Sequence, residues 1–155
     1  VALGISQRLN VPEIVGRLLA ARGIGLETAT DFLEPTLRAL LPDPSSLLDM
    51  DTAAERIASA VRHGDTIAVF GDYDVDGACS AALMVTFLRG LGCTALHYVP
   101  DRMKEGYGPN GPALASLIGR GAKLIVCVDC GTAAAEALAT ATGRADVVEI
   151  GRAHV

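Results

Sequence analysis

Ile67-Ala68-Val69-Phe70-Gly71-Asp72-Tyr73-Asp74-Val75-Asp76-Gly77 sets the fold of this chain. A short, β-branched apolar run is cut by a glycine. Three aspartates follow at alternate positions, and a second glycine closes the set. The run over 67–70 predicts a buried strand. The segment 78–91 predicts a helix, with Leu83, Met84, Phe87, Leu88 and Leu91 at helical spacing. The aspartates then occupy the strand-to-helix turn at the carboxyl end of a strand. In open α/β sheets that crevice binds ligands.

Three carboxylates so close repel one another, and a counter-charge is needed to keep them ionised. A divalent cation such as Mg²⁺ or Mn²⁺ is the simplest one, because hard cations take oxygen ligands. The plainer alternative is a solvated acidic turn in which aspartate caps the helix. A cap needs one Asp, and three here favour a metal. The front half of an EF-hand loop also fits Asp72, Asp74, Asp76 and Gly77. That loop needs a bidentate Glu at its twelfth position, where Leu83 stands, and a helix rather than a strand before it. Asp74-Val75-Asp76-Gly77 further approaches the aspartyl-nucleophile signature of haloacid-dehalogenase-like phosphatases. Ala78 follows where that family has Thr or Val, and this alternative stays open.

Outward from the acidic turn, the pattern alternates. Strands are expected over 66–70, 94–99 and 123–128, and helices over 78–91, 111–120 and 133–141. A fourth strand begins at Asp146-Val147-Val148. Such alternation implies an α/β fold with a parallel sheet and helices on both faces. Residues 1–63 read as a helical lead-in. Pro12 opens one helix with Ile14, Val15, Leu18 and Leu19 on its apolar side, a second covers 26–33, and a third covers 52–63.

The 155 residues suffice for one domain with a real core, and 50% hydrophobic with 20% charged content is ordinary for a globular chain. No apolar run is long enough to span a membrane, and no signal peptide is visible. The chain does not begin with Met, so it is expected to start inside a longer protein. A net charge of −5 excludes nucleic-acid binding by charge alone, although bound divalent metals would offset part of it. Of the four cysteines, Cys127 and Cys130 form a C-x-x-C, formally a redox motif or half a zinc site. No second close pair exists, and Cys127 lies in an apolar run, so packing is the preferred role. Nothing suggests a disulfide framework, which points to the cytoplasm.

Two further clusters carry chemistry. Pro100-Asp101-Arg102-Met103-Lys104-Glu105-Gly106-Tyr107-Gly108 follows the second strand, and Arg102 and Lys104 are the cations placed to meet a phosphate. A surface loop with scattered charges is the equal alternative. Asp129-Cys130-Gly131 repeats the logic of the first motif and delivers a fourth carboxylate to the same sheet edge.

Gly71 to Gly77 resembles the first motif of the DHH phosphoesterase family. Tyr98-Val99-Pro100-Asp101-Arg102, with Glu105 through Asn110, is similar to its RecJ branch. So are Val128-Asp129-Cys130-Gly131, Ala21-Arg22-Gly23-Ile24 and Leu48-Asp49-Met50-Asp51. The likeness covers residues 5 to 148. It implies a DHH-type, Rossmann-like fold and an exonuclease that degrades single-stranded DNA from the 5′ end in repair and recombination. It also implies possible contacts with replication or repair proteins. By family analogy Asp74, Asp76 and Asp129 bind Mn²⁺ or Mg²⁺, with Asp72 in the site or just behind it. The metal would activate the attacking water and stabilise charge. Other members of the family cut cyclic dinucleotides, short RNA or pyrophosphate, and the Gly106-Tyr107-Gly108 segment favours the RecJ branch over them. A non-catalytic relative that only binds single-stranded DNA would be expected to lack the aspartates.

The Asp-His-His set that names the family is expected after the fourth strand. Glu149-Ile150-Gly151-Arg152-Ala153-His154-Val155 stands there instead. The histidines His63, His97 and His154 are not placed to replace it. The codons GAG ATC GGA AGA GCA CAC GTC, with TGA next in frame, would encode this tail and resemble a common adapter of short-read DNA sequencing. The expected organisation is therefore a lead-in over 1–63, the first part of a DHH domain over 64–148 and a non-native tail over 149–155. The chain is expected to be a truncated, inactive fragment.

Overall fold

The computed structural model describes residues 1–151 and divides into two compact units, Val1–Leu48 and the chain from Asp49 onward. In the first unit, helices α1 (Ala2–Leu9) and α2 (Glu13–Ala21) close over Ile5 and Leu19, with Ala29 of the short α3 (Ala29–Leu33) completing the cluster. Pro12 stands just before α2, where its fixed φ suits a helix start. A single turn, α4 (Leu37–Leu40), and a 3₁₀ turn (Pro44–Ser46) follow α3.

The second unit contains α5 (Met50–His63), β1 (Thr66–Gly71), α6 (Val75–Gly90), β2 (Ala95–Tyr98), α7 (Gly111–Gly119), β3 (Ala122–Val128), α8 (Ala135–Leu138) and β4 (Asp146–Ile150). The division between the compact units, at 48/49, falls inside the stretch 1–63 expected as a lead-in. Helix α5 belongs with the sheet because Ala53, Ile57, Ala60 and Val61 pack on its strands. The strand order is β2-β1-β3-β4, and every pairing is parallel.

Side chains of β1 and β3 alternate between two layers. Ile67, Val69, Leu124, Val126 and Val128 meet α5 and α6 on one side. Ala68, Phe70, Ile125 and Cys127 meet α7 on the other. Helices on both faces explain why these strands are apolar throughout rather than alternating with polar residues. The order reverses between β1 and β3, since the chain goes first to β2 and then to β3 on the opposite flank. That reversal opens a crevice at their carboxyl ends.

Helix α6 differs from its expected packing. Its buried positions are Gly77, Ala81, Val85 and Leu88, whereas Leu83, Phe87 and Leu91 are exposed. Small residues let the helix sit close on the strand. An added Cβ at Gly71 would fall 2.9 Å from the Cβ of Ala81 and the carbonyl oxygen of Gly77. The helix also begins at Val75, earlier than expected, so Asp76 lies in its first turn rather than in the preceding loop. At the opposite end of the sheet, Arg56 of α5 bonds Asp146 of β4 through Nε at 2.7 Å. Strand β4 runs on through Glu149 and Ile150, which pair with Cys127 and Val128. Two residues of the expected tail therefore form part of the sheet, and residues 152–155, His154 among them, lie outside the described residues.

Candidate metal centre

The parallel register pairs Gly71 with Val128. Asp72 and Asp129, the next residues, therefore leave neighbouring strands at one level of the crevice. Asp72 is only 2% exposed, and its Oδ1 accepts the amide of Tyr73 at 2.8 Å. Gly77 makes this burial possible: it presses on Asp72 with no side chain between. Asp129 takes a left-handed conformation, φ 55°, which Asp tolerates better than most residues. Its Oδ2 is buried, and its backbone carbonyl accepts from the Tyr107 hydroxyl at 3.4 Å.

Asp74 is the N-cap of α6. Its Oδ1 accepts the Gly77 amide at 2.8 Å, so the capping role considered from sequence is realised here. Asp76 is exposed in the first turn, where the positive end of the helix dipole favours an acid. Asp72, Asp74, Asp76 and Asp129 thus share one sheet edge. Among the described residues, however, no group of three or more His, Cys, Asp and Glu side chains is arranged to hold a metal ion. One oxygen of the Asp74 carboxylate is taken up by the helix amide. The donors are nonetheless anionic and all oxygen, which fits Mn²⁺ or Mg²⁺.

The loop after β2 supplies one wall. The Arg102 guanidinium lies 5.2 Å from the ring centre of Tyr73, a cation–π distance. Tyr107 meets the same ring edge-on at 6.4 Å. Arg102 is thus brought beside the acidic turn. Lys104 instead bonds the Asp101 carboxylate at 3.4 Å and lines a cavity with Tyr98, Glu105 and Asn110. Of the two cations expected to meet a phosphate, Arg102 thus rests on Tyr73 and Lys104 on Asp101.

Sequence reasoning missed Tyr73, Tyr107 and Glu105 as members of the site. The signal available was compositional: the chain has no Trp and three Tyr, and all three cluster here. Cys127 and Cys130 are buried free thiols, as packing required. A hydrogen bond donated to Cys130, together with burial, pushes the Cys127 thiol far up, away from the reactive thiolate.

A family model described as DHH family, N-terminal domain, matches residues 66–151. The chain belongs to the DHH family. The match places this DHH domain over the whole sheet, from β1 to the end of β4. The chain is 38% identical over 130 residues to the single-stranded-DNA-specific exonuclease RecJ of Bacillus subtilis, covering 84% of this chain and 16% of that protein. It is 39% identical over 123 residues to RecJ of Escherichia coli, covering 79% and 21%. The chain spans about a fifth of the length of these curated relatives. Among solved structures it resembles RecJ in complex with Mn²⁺ from Thermus thermophilus, with a TM-score of 0.74 and 26% identity over 96% of this chain and 20% of that one. It also resembles an exonuclease RecJ bound to manganese, with a TM-score of 0.61 and 30% identity over 66% of this chain and 27% of that one.

Proposed function

We propose that this DHH domain is part of a metal-dependent phosphodiesterase that degrades single-stranded DNA from the 5′ end, in cytoplasmic repair and recombination. The observation that carries the reading is the placement of Asp72 and Asp129 directly after the paired residues Gly71 and Val128, at the switch point of the sheet. The names of the relatives supply the substrate class. Replication and repair proteins are the expected partners, and none of the described helices is long and apolar enough to cross a membrane.

Asp74, Asp76 and Asp129 would hold Mn²⁺ or Mg²⁺, with Asp72 behind them. A divalent cation there supplies Lewis-acid stabilisation of a phosphoryl oxygen. The chain's own residues do the remaining work. Arg102 meets the phosphate with a charge-assisted bond. Tyr73 and Tyr107 offer ring surface to an unstacked base, the pairing of cation and aromatic that suits single strands. The buried wall behind Asp72 keeps its carboxylate in place.

Calorimetric titration with Mn²⁺ tests the centre. The wild-type chain is expected to bind, and an Asp74→Ala, Asp129→Ala double variant to lose that heat. A folded wild-type chain that takes up no Mn²⁺ would overturn the metal assignment. The chain contains no Asp-His-His sequence, so degradation of single-stranded DNA by it alone is expected to be weak or absent.

A further inference from the structure

We infer that Glu105 is a positioning residue of this site: its carboxylate fixes the loop between β2 and α7 so that Arg102 and Tyr107 rest against Tyr73 and grip single-stranded DNA. The inference rests on the substrate class proposed above.

Glu105 joins three parts of the fold through its two oxygens. Oε2 accepts the Tyr98 hydroxyl at 2.6 Å and Asn110 Nδ2 at 3.1 Å, and Oε1 accepts the Asp101 amide at 2.8 Å. Tyr98 ends β2, and its ring stacks on the buried Phe70 at 5.3 Å. Phe70 lies two residues before Asp72 on β1. Asn110 caps α7, its Oδ1 accepting the Ala113 amide at 2.9 Å. The carboxylate therefore references the loop to the central strand and to the next helix at once.

The loop needs that reference because its own backbone is permissive. Gly106 and Gly108, at φ 80° and 75°, flank Tyr107, and glycines in that region constrain the chain little. The turn over 101–105 closes with the amides of Lys104 and Glu105 on the Asp101 carbonyl. Those bonds shape the turn but do not attach it to the sheet. Glu105 does, and only a group that accepts three hydrogen bonds replaces it fully. Glutamine keeps one acceptor oxygen and alanine none.

The test compares the wild-type chain with Glu105→Ala, Glu105→Gln, Arg102→Ala and the Glu105→Ala, Arg102→Ala pair. Two readouts are taken: hydrogen exchange of the 101–108 amides, and anisotropy of a fluorescein-labelled single-stranded oligonucleotide with Mn²⁺ present. Glu105→Ala is expected to speed exchange in the loop and to weaken oligonucleotide binding roughly tenfold. Mn²⁺ uptake stays near wild type. Glu105→Gln recovers part of both losses. The double variant binds more weakly than Arg102→Ala alone, but by clearly less than the product of the two single losses, because Glu105 acts in part through Arg102. Unchanged loop exchange in Glu105→Ala overturns the positioning role, whatever the oligonucleotide does. Faster exchange with no oligonucleotide binding by the wild-type chain leaves the positioning role standing and removes the single-stranded-DNA reading instead.

Discussion

Gly77 lies against Asp72 so closely that a methyl group on it would fall 2.6 Å from the Asp72 amide nitrogen and 2.7 Å from its Cβ. These are backbone and near-backbone atoms, which cannot swing aside. Gly77→Ala is therefore expected to cost about 1–3 kcal/mol as overpacking, despite the better helix propensity of alanine. It should also push Asp72 out of register with Asp129. Chemical denaturation and Mn²⁺ calorimetry on this variant check both effects, and stabilisation would contradict the close contact.

Asp74 has an observed duty as a cap and a proposed one as a ligand, and substitution separates them. As a cap it bonds the Gly77 amide, and as a ligand it would need its charge. Asp74→Asn keeps a capping oxygen, and its stability is expected to stay within about 0.5 kcal/mol of wild type. Asp74→Ala loses the cap and about 0.5–2 kcal/mol. Both should lose Mn²⁺ affinity to a similar degree. An Asn variant that binds Mn²⁺ as the wild type does would restrict Asp74 to capping.

The Tyr98–Glu105 pair makes the loop sensitive to pH at both extremes. The Tyr98 hydroxyl, then the Asp101 amide, hold the Glu105 carboxyl below the usual carboxylate range. A lowered carboxylate contributes stability above its unfolded pKa, and that contribution disappears as pH falls through the folded one. The same hydrogen bond, with burial, raises the Tyr98 hydroxyl above its ordinary 10.0. A raised phenol contributes below its unfolded pKa and loses the contribution as pH climbs past the folded one. Loop amide exchange is expected to be slowest across the neutral range and to quicken, after correction for the intrinsic rate, in acid and in strong alkali. With no Trp in the chain, tyrosine emission reports the same transitions. Glu105→Gln should abolish the acid limb.

The Asp129 amide donates to the Ile150 carbonyl at 3.0 Å, which continues the β3–β4 pairing past the end of β3. Residue 151 therefore follows β4 on the same edge as Asp129. The change Gly151→Asp is expected to tighten Mn²⁺ binding by about tenfold, since it adds an oxygen donor at that edge. A Cβ at Gly151 would stand 2.9 Å from Thr132 Oγ1, so the hydroxyl must rotate away. Calorimetry on this variant decides the matter, with no gain in affinity as the contrary result.

The parallel sheet was legible because its strands are short apolar runs ended by Gly-Asp or Asp-Cys-Gly, with helical spacing between. The four aspartates were legible from the same endings. The start of α6 was not, because Val75 looks like the continuation of an acidic turn until Asp74 is seen to cap it. Nor was its buried face, since large apolar side chains advertise a core while Gly77 and Ala81 make the actual contact. Helix α5 read as part of the lead-in because its attachment to the sheet depends on residues far along the chain. Glu105 gave no sign of its role. A charged residue between a lysine and a glycine looks like surface until three donors converge on it.

Strand β3 docks on the flank of β1 opposite to β2, and this has a temporal meaning. As the chain is made, Asp72, Asp74 and Asp76 emerge together and repel one another well before Asp129 exists. Strand β2 and helices α6 and α7 must all be synthesised in between. No early folding unit, such as β1–α6–β2, contains a complete acidic edge. On the proposed reading the capacity to hold a cation thus arrives late, with the insertion of β3, and β4 then completes the sheet beside it.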